Sequence, residues 1–243
     1  MDEESEKIAA LIKSLSHPDK KVIREGADAL ISIAAFTPQL AERLRRLLDE
    51  APVEKRWPIA YVLAHIAPLS ASCLDVLKDT LESSDPDIRW AAALLLVRLA
   101  KNSSPDVVVH LAALVKSGRP TQRRMAVYCL RDIGAQDSAS RRALLDAMGD
   151  PEPLVRVAAV TSLKALPEIG AAALDRLLRL FLADPDSRVR VSAALSLGHL
   201  AAPTEEIRAV LKDASLDPDS RLSKAARVAL ALLEKKGPAY STK

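Results

Sequence analysis

The chain has 243 residues, with 35 Lys and Arg against 32 Asp and Glu, 49% apolar residues and only 7 glycines. A formal charge of +3 is too small to mark a nucleic-acid binder by itself, and so few glycines exclude a turn-rich β fold. Two cysteines, Cys73 and Cys129, make no disulfide framework and fit a reducing, cytoplasmic setting.

The acidic start MDEESEK leads into an amphipathic helix and lacks the basic, then apolar, pattern of a signal peptide. Ala and Leu dominate the rest of the chain, and both fill helical positions at low entropic cost. In chain order, the segments are HPDKKVIREGADALISIA (17–34), QLAERLRRLLDE (39–50), KRWPIAYVLAHIA (55–67), CLDVLKDTLES (73–83), IRWAAALLLVRLA (88–100) and VVVHLAALVKS (107–117). Then come QRRMAVYCLRDIG (122–134), DPEPLVRVAAVTSLKALP (150–167), AALDRLLRLFLA (172–183), DPDSRVRVSAALSLGHLA (184–201) and DPDSRLSKAARVALALLE (217–234). Prolines, often as Asp-Pro, punctuate them. WAAALLLV, residues 90–97, stops at eight, well short of the roughly 18 apolar residues that span a membrane.

Seven of these segments are copies of one another. A leucine recurs at Leu30, Leu63, Leu96, Leu130, Leu163, Leu197 and Leu230, at spacings of 33 or 34 residues. Three residues later stands an aliphatic side chain (Ile33, Ile66, Leu99, Ile133, Leu166, Leu200, Leu233), and four residues earlier a small or aliphatic one (Gly26, Ile59, Ala92, Ala126, Ala159, Ala193, Ala226). These offsets share one helical face. Each repeat is therefore a helix, a turn and a second helix, and seven units must stack because none buries its apolar stripe alone. The expected organisation is one repeat domain over residues 1–236 with a loose tail, GPAYSTK, at 237–243. MDEESEK, Arg227 and Glu234 supply polar edges to the terminal units.

Asp-Pro-Asp, then Val-Arg and an Ala/Leu-rich helix, as in DPDSRVRVSAALSLGHLA, resembles HEAT repeats of the short bacterial kind related to phycobilin-lyase repeats. The resemblance covers all seven units. It implies an all-α, right-handed α-solenoid of seven helix pairs whose second helices line the concave surface. The period equals that of tetratricopeptide and ankyrin repeats, but neither signature is present.

Arg56, Arg89, Arg123, Arg156 and Arg190 stand seven residues before the recurring leucine. Such a column could grip phosphate. The structural alternative is that each guanidinium meets an acid of the neighbouring turns, where Asp85, Glu152 and Asp186 recur, as the inter-repeat Asp–Arg ladder implied by the HEAT resemblance. Recurrence in repeat after repeat favours the ladder, because it is what stacking requires. Between Lys116 and Arg142, seven basic residues (Lys116, Arg119, Arg123, Arg124, Arg131, Arg141, Arg142) face only Asp132 and Asp137, a segment that would steer an anionic partner.

Aromatic residues are rare: 2 Trp, 3 Tyr and 2 Phe. Trp57 and Trp90 share the position six before the leucine, and Tyr61 and Tyr128 the position two before it. Helical geometry turns both positions away from the first helix. With Arg124, His65, Arg98 and Arg131, they form the expected partner-binding face, because Trp, Tyr and Arg dominate binding hot spots. The competing reading is that the rings fill gaps between helices.

No phosphate loop, metal-spaced cluster or nucleophile elbow is present, so no enzyme activity, cofactor or metal is expected. His65 and His199 hold equivalent positions in distant repeats, His17 sits in a turn and His110 on a first helix. HEAT-like alkylpurine DNA glycosylases pair a cleft Trp and Arg with a carboxylate; here Tyr61 and Leu94 stand one turn after Trp57 and Trp90. Nothing identifies a bilin pocket. The expected function is that of a monomeric, cytoplasmic scaffold that binds another protein or peptide, with nucleic acid as the alternative partner.

Overall fold

The computed structural model describes residues 3–135, 137–166, 169–202 and 204–236. Among them the chain forms fourteen α-helices and no strand. The helices are α1 (Glu3–Ser14), α2 (Lys20–Ile33), α3 (Leu40–Glu50), α4 (Arg56–Ile66), α5 (Ala71–Thr80), α6 (Pro86–Asn102) and α7 (Val107–Ser117). They continue as α8 (Pro120–Ile133), α9 (Ser138–Ala147), α10 (Pro153–Ser162), α11 (Gly170–Ala183), α12 (Ser187–Leu200), α13 (Glu205–Ala214) and α14 (Ser220–Lys235). They make the seven expected pairs of an all-α repeat fold. The expected tail at 237–243 lies outside the described residues. No described helix is long and apolar enough to cross a membrane.

Caps explain where many second helices begin. Asp19, Asp85, Asp186 and Asp219 stand eleven residues before the repeat leucine, and their carboxylates accept main-chain N–H bonds from the first turns of α2, α6, α12 and α14. At the other end of α8, Gly134 closes the helix at φ 106°, a conformation glycine adopts without penalty.

The chain divides between Val107 and Val108 into two compact units. In the first unit, α4 packs against α2 and α6 on either side and against first helices α3 and α5. In the second unit, α8, α10, α12 and α14 form a row in which each packs on the next. The columns behave as the periodicity requires. All seven residues four before the leucine are buried, as are six of the seven leucines, from Leu30 to Leu197. Leu230, in the last repeat, is half-buried, and Arg227 and Glu234 beside it are exposed. The terminal helix α1 buries no residue fully.

Close approach between second helices depends on small side chains. A Cβ added to Gly198 on α12 would lie 2.6 Å from Ala229 Cα and 3.0 Å from its carbonyl oxygen on α14. Those are backbone atoms, so neither helix could yield by a side-chain rotation alone.

The arginine column has one common role and one variable role. Every member donates to carbonyls of the turn before its own helix: Arg56 Nε to Ala51 O (2.8 Å), Arg89 to Ser83 O, Arg123 Nη1 to Gly118 O (2.9 Å), Arg156 Nη1 to Asp150 O (2.8 Å) and Arg190 Nη1 to Asp184 O (2.8 Å). A guanidinium satisfies these carbonyls at the helix ends without leaving its own repeat. Among the described residues, two of the five also reach a carboxylate. Arg123 grips Asp150 through two 2.7 Å bonds, and Arg156 grips Asp184 at 2.8 and 2.7 Å. Both acids belong to the following repeat.

The acids expected as partners, Asp85, Glu152 and Asp186, do not fill that role. Asp85 and Asp186 are helix caps, and Asp186 is held well down, to about 2, chiefly by Arg188. Glu152 occupies the capping position of α10 without making a capping side-chain bond. The rungs use the acid two residues earlier, thirteen before the leucine, where repeats 3 and 4 carry Ser83 and Ser117.

Two substitutions test this packing. Gly198→Ala should lower unfolding stability in urea by about 1–3 kcal/mol through overpacking; an unchanged midpoint contradicts the close approach. Arg156→Ala strands Asp184, which is 6% exposed, and should cost about 3–5 kcal/mol, whereas Arg190→Ala removes one main-chain hydrogen bond and should cost about 1 kcal/mol. Equal losses would mean that the ion pair adds nothing to the carbonyl contacts.

Candidate functional site

Three second helices of the first unit, α2, α4 and α6, line an open cavity of about 820 Å³, and every residue lining it comes from them. The face they present is a small grid, because the positions six before, two before and two after the repeat leucine lie one turn apart. The first row holds Arg24, Trp57 and Trp90, the second Asp28, Tyr61 and Leu94, the third Ser32, His65 and Arg98. From first row to third is eight residues, about 12 Å along the helices.

Local sequence sets each side chain. Pro58 lies in the first turn of α4, where its missing N–H costs no helical bond, so the helix can begin beside Trp57. Trp57 and Tyr61 are half-buried, Trp90 is 39% exposed and Leu94 63% exposed. An indole ring and an apolar branched chain standing open on one wall are unusual in a chain that buries most of its large apolar side chains.

His65 packs on Tyr61 with ring centroids 4.5 Å apart. Its Nδ1 lies 2.8 Å from the Tyr61 carbonyl, which can only accept, so the proton sits on Nδ1 and Nε2 is left as an acceptor. Desolvation lowers the imidazole pKa below 6.5, assisted by nearby Arg98 and opposed by the Tyr61 carbonyl and Asp28. Arg98 is exposed and makes no ion pair or hydrogen bond among the described residues.

One end of the cavity is clamped by a contact the sequence did not suggest. Lys20, at the start of α2, reaches past the first turn of α4 to Asp85 (2.7 Å) and Asp87 (2.9 Å) at the start of α6. Adjacent helices sit about 8–10 Å apart, so a direct bond between alternate repeats requires α2 and α6 to converge there. The two carboxylates raise the Lys20 pKa, and Lys20 in turn lowers that of Asp85. A lysine and two acids separated by two full repeats leave no local pattern to read; only the convergence of the helices pairs them.

Of the eight residues expected to bind a partner, Trp57, Tyr61, His65, Trp90 and Arg98 line this cavity. Arg124, Tyr128 and Arg131 stand on α8 in the second unit. There Arg131 lies over the Tyr128 ring at 4.9 Å and donates to Asp132 at 2.7 Å, while Arg124 is half-buried with Nε lacking a partner among the described residues. The basic segment around them is partly compensated: Arg123 is paired with Asp150, Arg131 with Asp132, and Lys116 lies 3.6 Å from Asp146. Among the described residues no group of three or more His, Cys, Asp and Glu is placed to hold a metal ion.

Comparison with known proteins adds a family match and a fold match. The family model for HEAT repeats matches residues 44–131, 110–198 and 141–231. The X-ray structure of YibA from Escherichia coli is similar to the chain with a TM-score of 0.60 at 17% identity, over 97% of this chain and 86% of that one. An engineered protein gives a TM-score of 0.45 at 20% identity over 96% and 98% of the two chains, and human deoxyhypusine hydroxylase 0.43 at 20% identity over 94% and 84%. No curated protein matches the sequence.

His65 offers a direct check on the cavity wall. Because its folded pKa is depressed, the unfolded chain takes up the proton first as pH falls. The associated stability is therefore complete above 6.5 and is lost as pH drops from there through the folded value. In an NMR titration the His65 resonance should titrate below 6.5; a value at or above 6.5 would place the ring in water rather than against Tyr61.

Proposed function

The chain belongs to the HEAT-repeat family, and from that premise we propose that it is a non-enzymatic, monomeric interaction scaffold that holds a segment of another protein in the cavity of α2, α4 and α6. The observation carrying this reading is that both tryptophans of the chain line one cavity, on helix faces that repeat stacking does not use. An indole buries a large apolar area with little rotamer loss and keeps an N–H donor, and Tyr61 adds a second kind of ring. Tyr128, Arg124 and Arg131, on α8 of the second unit, are a second contact surface in their own right. Cys73 and Cys129 are both buried and form no disulfide among the described residues, in keeping with work in the cytoplasm.

Protein capture and nucleic-acid binding respond differently to salt. Phosphate contacts release counterions, so affinity falls steeply with salt, whereas an aromatic-anchored interface changes little. Arg123 and Arg131 already face acids, which leaves less free positive charge than the sequence count suggests.

Affinity capture from the native extract should therefore recover a protein partner at both low and moderate salt. Trp90→Ala should weaken that partner by about 30-fold or more, with a melting temperature close to that of the parent. Filter binding to nucleic acid that collapses with salt and with Arg124→Ala, together with capture indifferent to Trp90→Ala, would replace the scaffold reading.

A further inference from the structure

The charge on the cavity wall narrows the partner to one chemistry. Of the cations there, Lys20 is held by Asp85 and Asp87, and Arg24 faces Asp28 at 3.9 Å along its own helix. Lys21 likewise has Glu25 at 3.9 Å. Arg98 has no such neighbour: one turn before it stands Leu94, and His65 beside it is kept neutral by burial. One corner of the grid therefore carries a guanidinium with no ion-pair partner among the described residues, separated by about 12 Å of helix from the Trp57 and Trp90 row.

We propose that the occupant is an extended peptide segment bearing a bulky apolar side chain and, three to four residues away, a carboxylate, with the apolar group against Trp57 and Trp90 and the carboxylate on Arg98. The spacing is set by the wall: an extended chain advances about 3.3 Å per residue, so about 12 Å corresponds to three or four residues. The fork of Arg98 matches a carboxylate in two parallel N–H bonds, and the apolar Leu94 one turn away offers no competing acceptor. His65 contributes through Nε2, which accepts a main-chain or side-chain N–H of the same segment. A basic partner segment is disfavoured at the same corner, because it would place a cation beside Arg98 with only Asp28 across the wall to offset it.

This inference rests on the cavity being the partner site, and the test separates the two claims. Both tryptophans lie in the cavity, so intrinsic emission reports on it directly. A random peptide display library would be selected on the full chain, and the enriched peptides synthesised and titrated by tryptophan emission. The expected consensus has an aromatic or large aliphatic residue three to four positions from Asp or Glu. Arg98→Ala should weaken such peptides about tenfold or more, Arg98→Lys should recover part of the loss, and Glu→Gln in the peptide should weaken binding to the parent but not to Arg98→Ala. Arg46→Ala, on α3, serves as the control and should leave affinity unchanged, with circular dichroism confirming that each variant is folded. Peptides that perturb the tryptophans but carry no acid, or bind Arg98→Ala equally, overturn the carboxylate assignment and leave the cavity as the site. Selected peptides that never perturb the tryptophans overturn the cavity reading itself.

Discussion

Everything in this molecule depends on how closely one second helix can approach the next. A pair of short amphipathic helices cannot bury its own apolar stripe, so each second helix must be covered by its neighbours in the stack. The column four residues before the repeat leucine faces the first helix instead, as at Gly26, where an added Cβ would meet Ser14 of α1. It carries Gly26, Ala92, Ala126, Ala159, Ala193 and Ala226, all buried, with Ile59 as its largest member. At Gly198 and Ala229 the approach is tight enough that a single methyl group has no room. Backbones at that spacing bring turn against turn, which is where Arg123 and Arg156 find the carboxylates of the following repeat.

The same geometry decides what is left over. A second helix flanked on both sides and backed by its first helix has one remaining face, and the fold asks nothing of the side chains there. In the second unit that face carries Arg124 and Tyr128 on α8, and beyond it residues such as Val157, Thr161 and the exposed Val228. In the first unit it carries two tryptophans, a tyrosine, a histidine and an arginine around one cavity. Packing does not require large amphipathic rings at that place, and it is their exposed apolar area that the proposed partner would cover. Lys20 links α2 to α6 at the cavity's end through a solvent-exposed ion pair.

Much of this was legible in the sequence, because the repeat leucine and its two companion columns encode the helix, its inward face and its period together. The positions of Trp57, Tyr61, His65, Trp90 and Arg98 on one wall followed from helical arithmetic. The arginine column was legible as a column, but its partners were not. Asp184 and Asp186 stand two residues apart in one Asp-Pro-Asp, and spacing does not say that the second caps its own helix while the first faces Arg156 of the preceding repeat. Nothing local therefore distinguishes Asp150 and Asp184 from the capping positions beside them. The Lys20 clamp joins residues 65 and 67 positions apart across an intervening helix, and depends on how α2 and α6 converge, which no periodicity reports. The compensation of Arg123 and Arg131 by Asp150 and Asp132 was hidden for a related reason: a count of charges along the chain does not show which are neutralised in space.

Stacking leaves the wall of α2, α4 and α6 facing water, so that its rings are surface and not core. Acrylamide quenching of tryptophan emission in the free protein tests this most directly, because Trp57 and Trp90 are the only two tryptophans of the chain. Red-shifted emission is expected, with Trp90 readily quenched and Trp57 quenched in part. Blue-shifted emission resistant to acrylamide would show that both indoles are packed inside, and that the chain spends its scarce aromatics on its core.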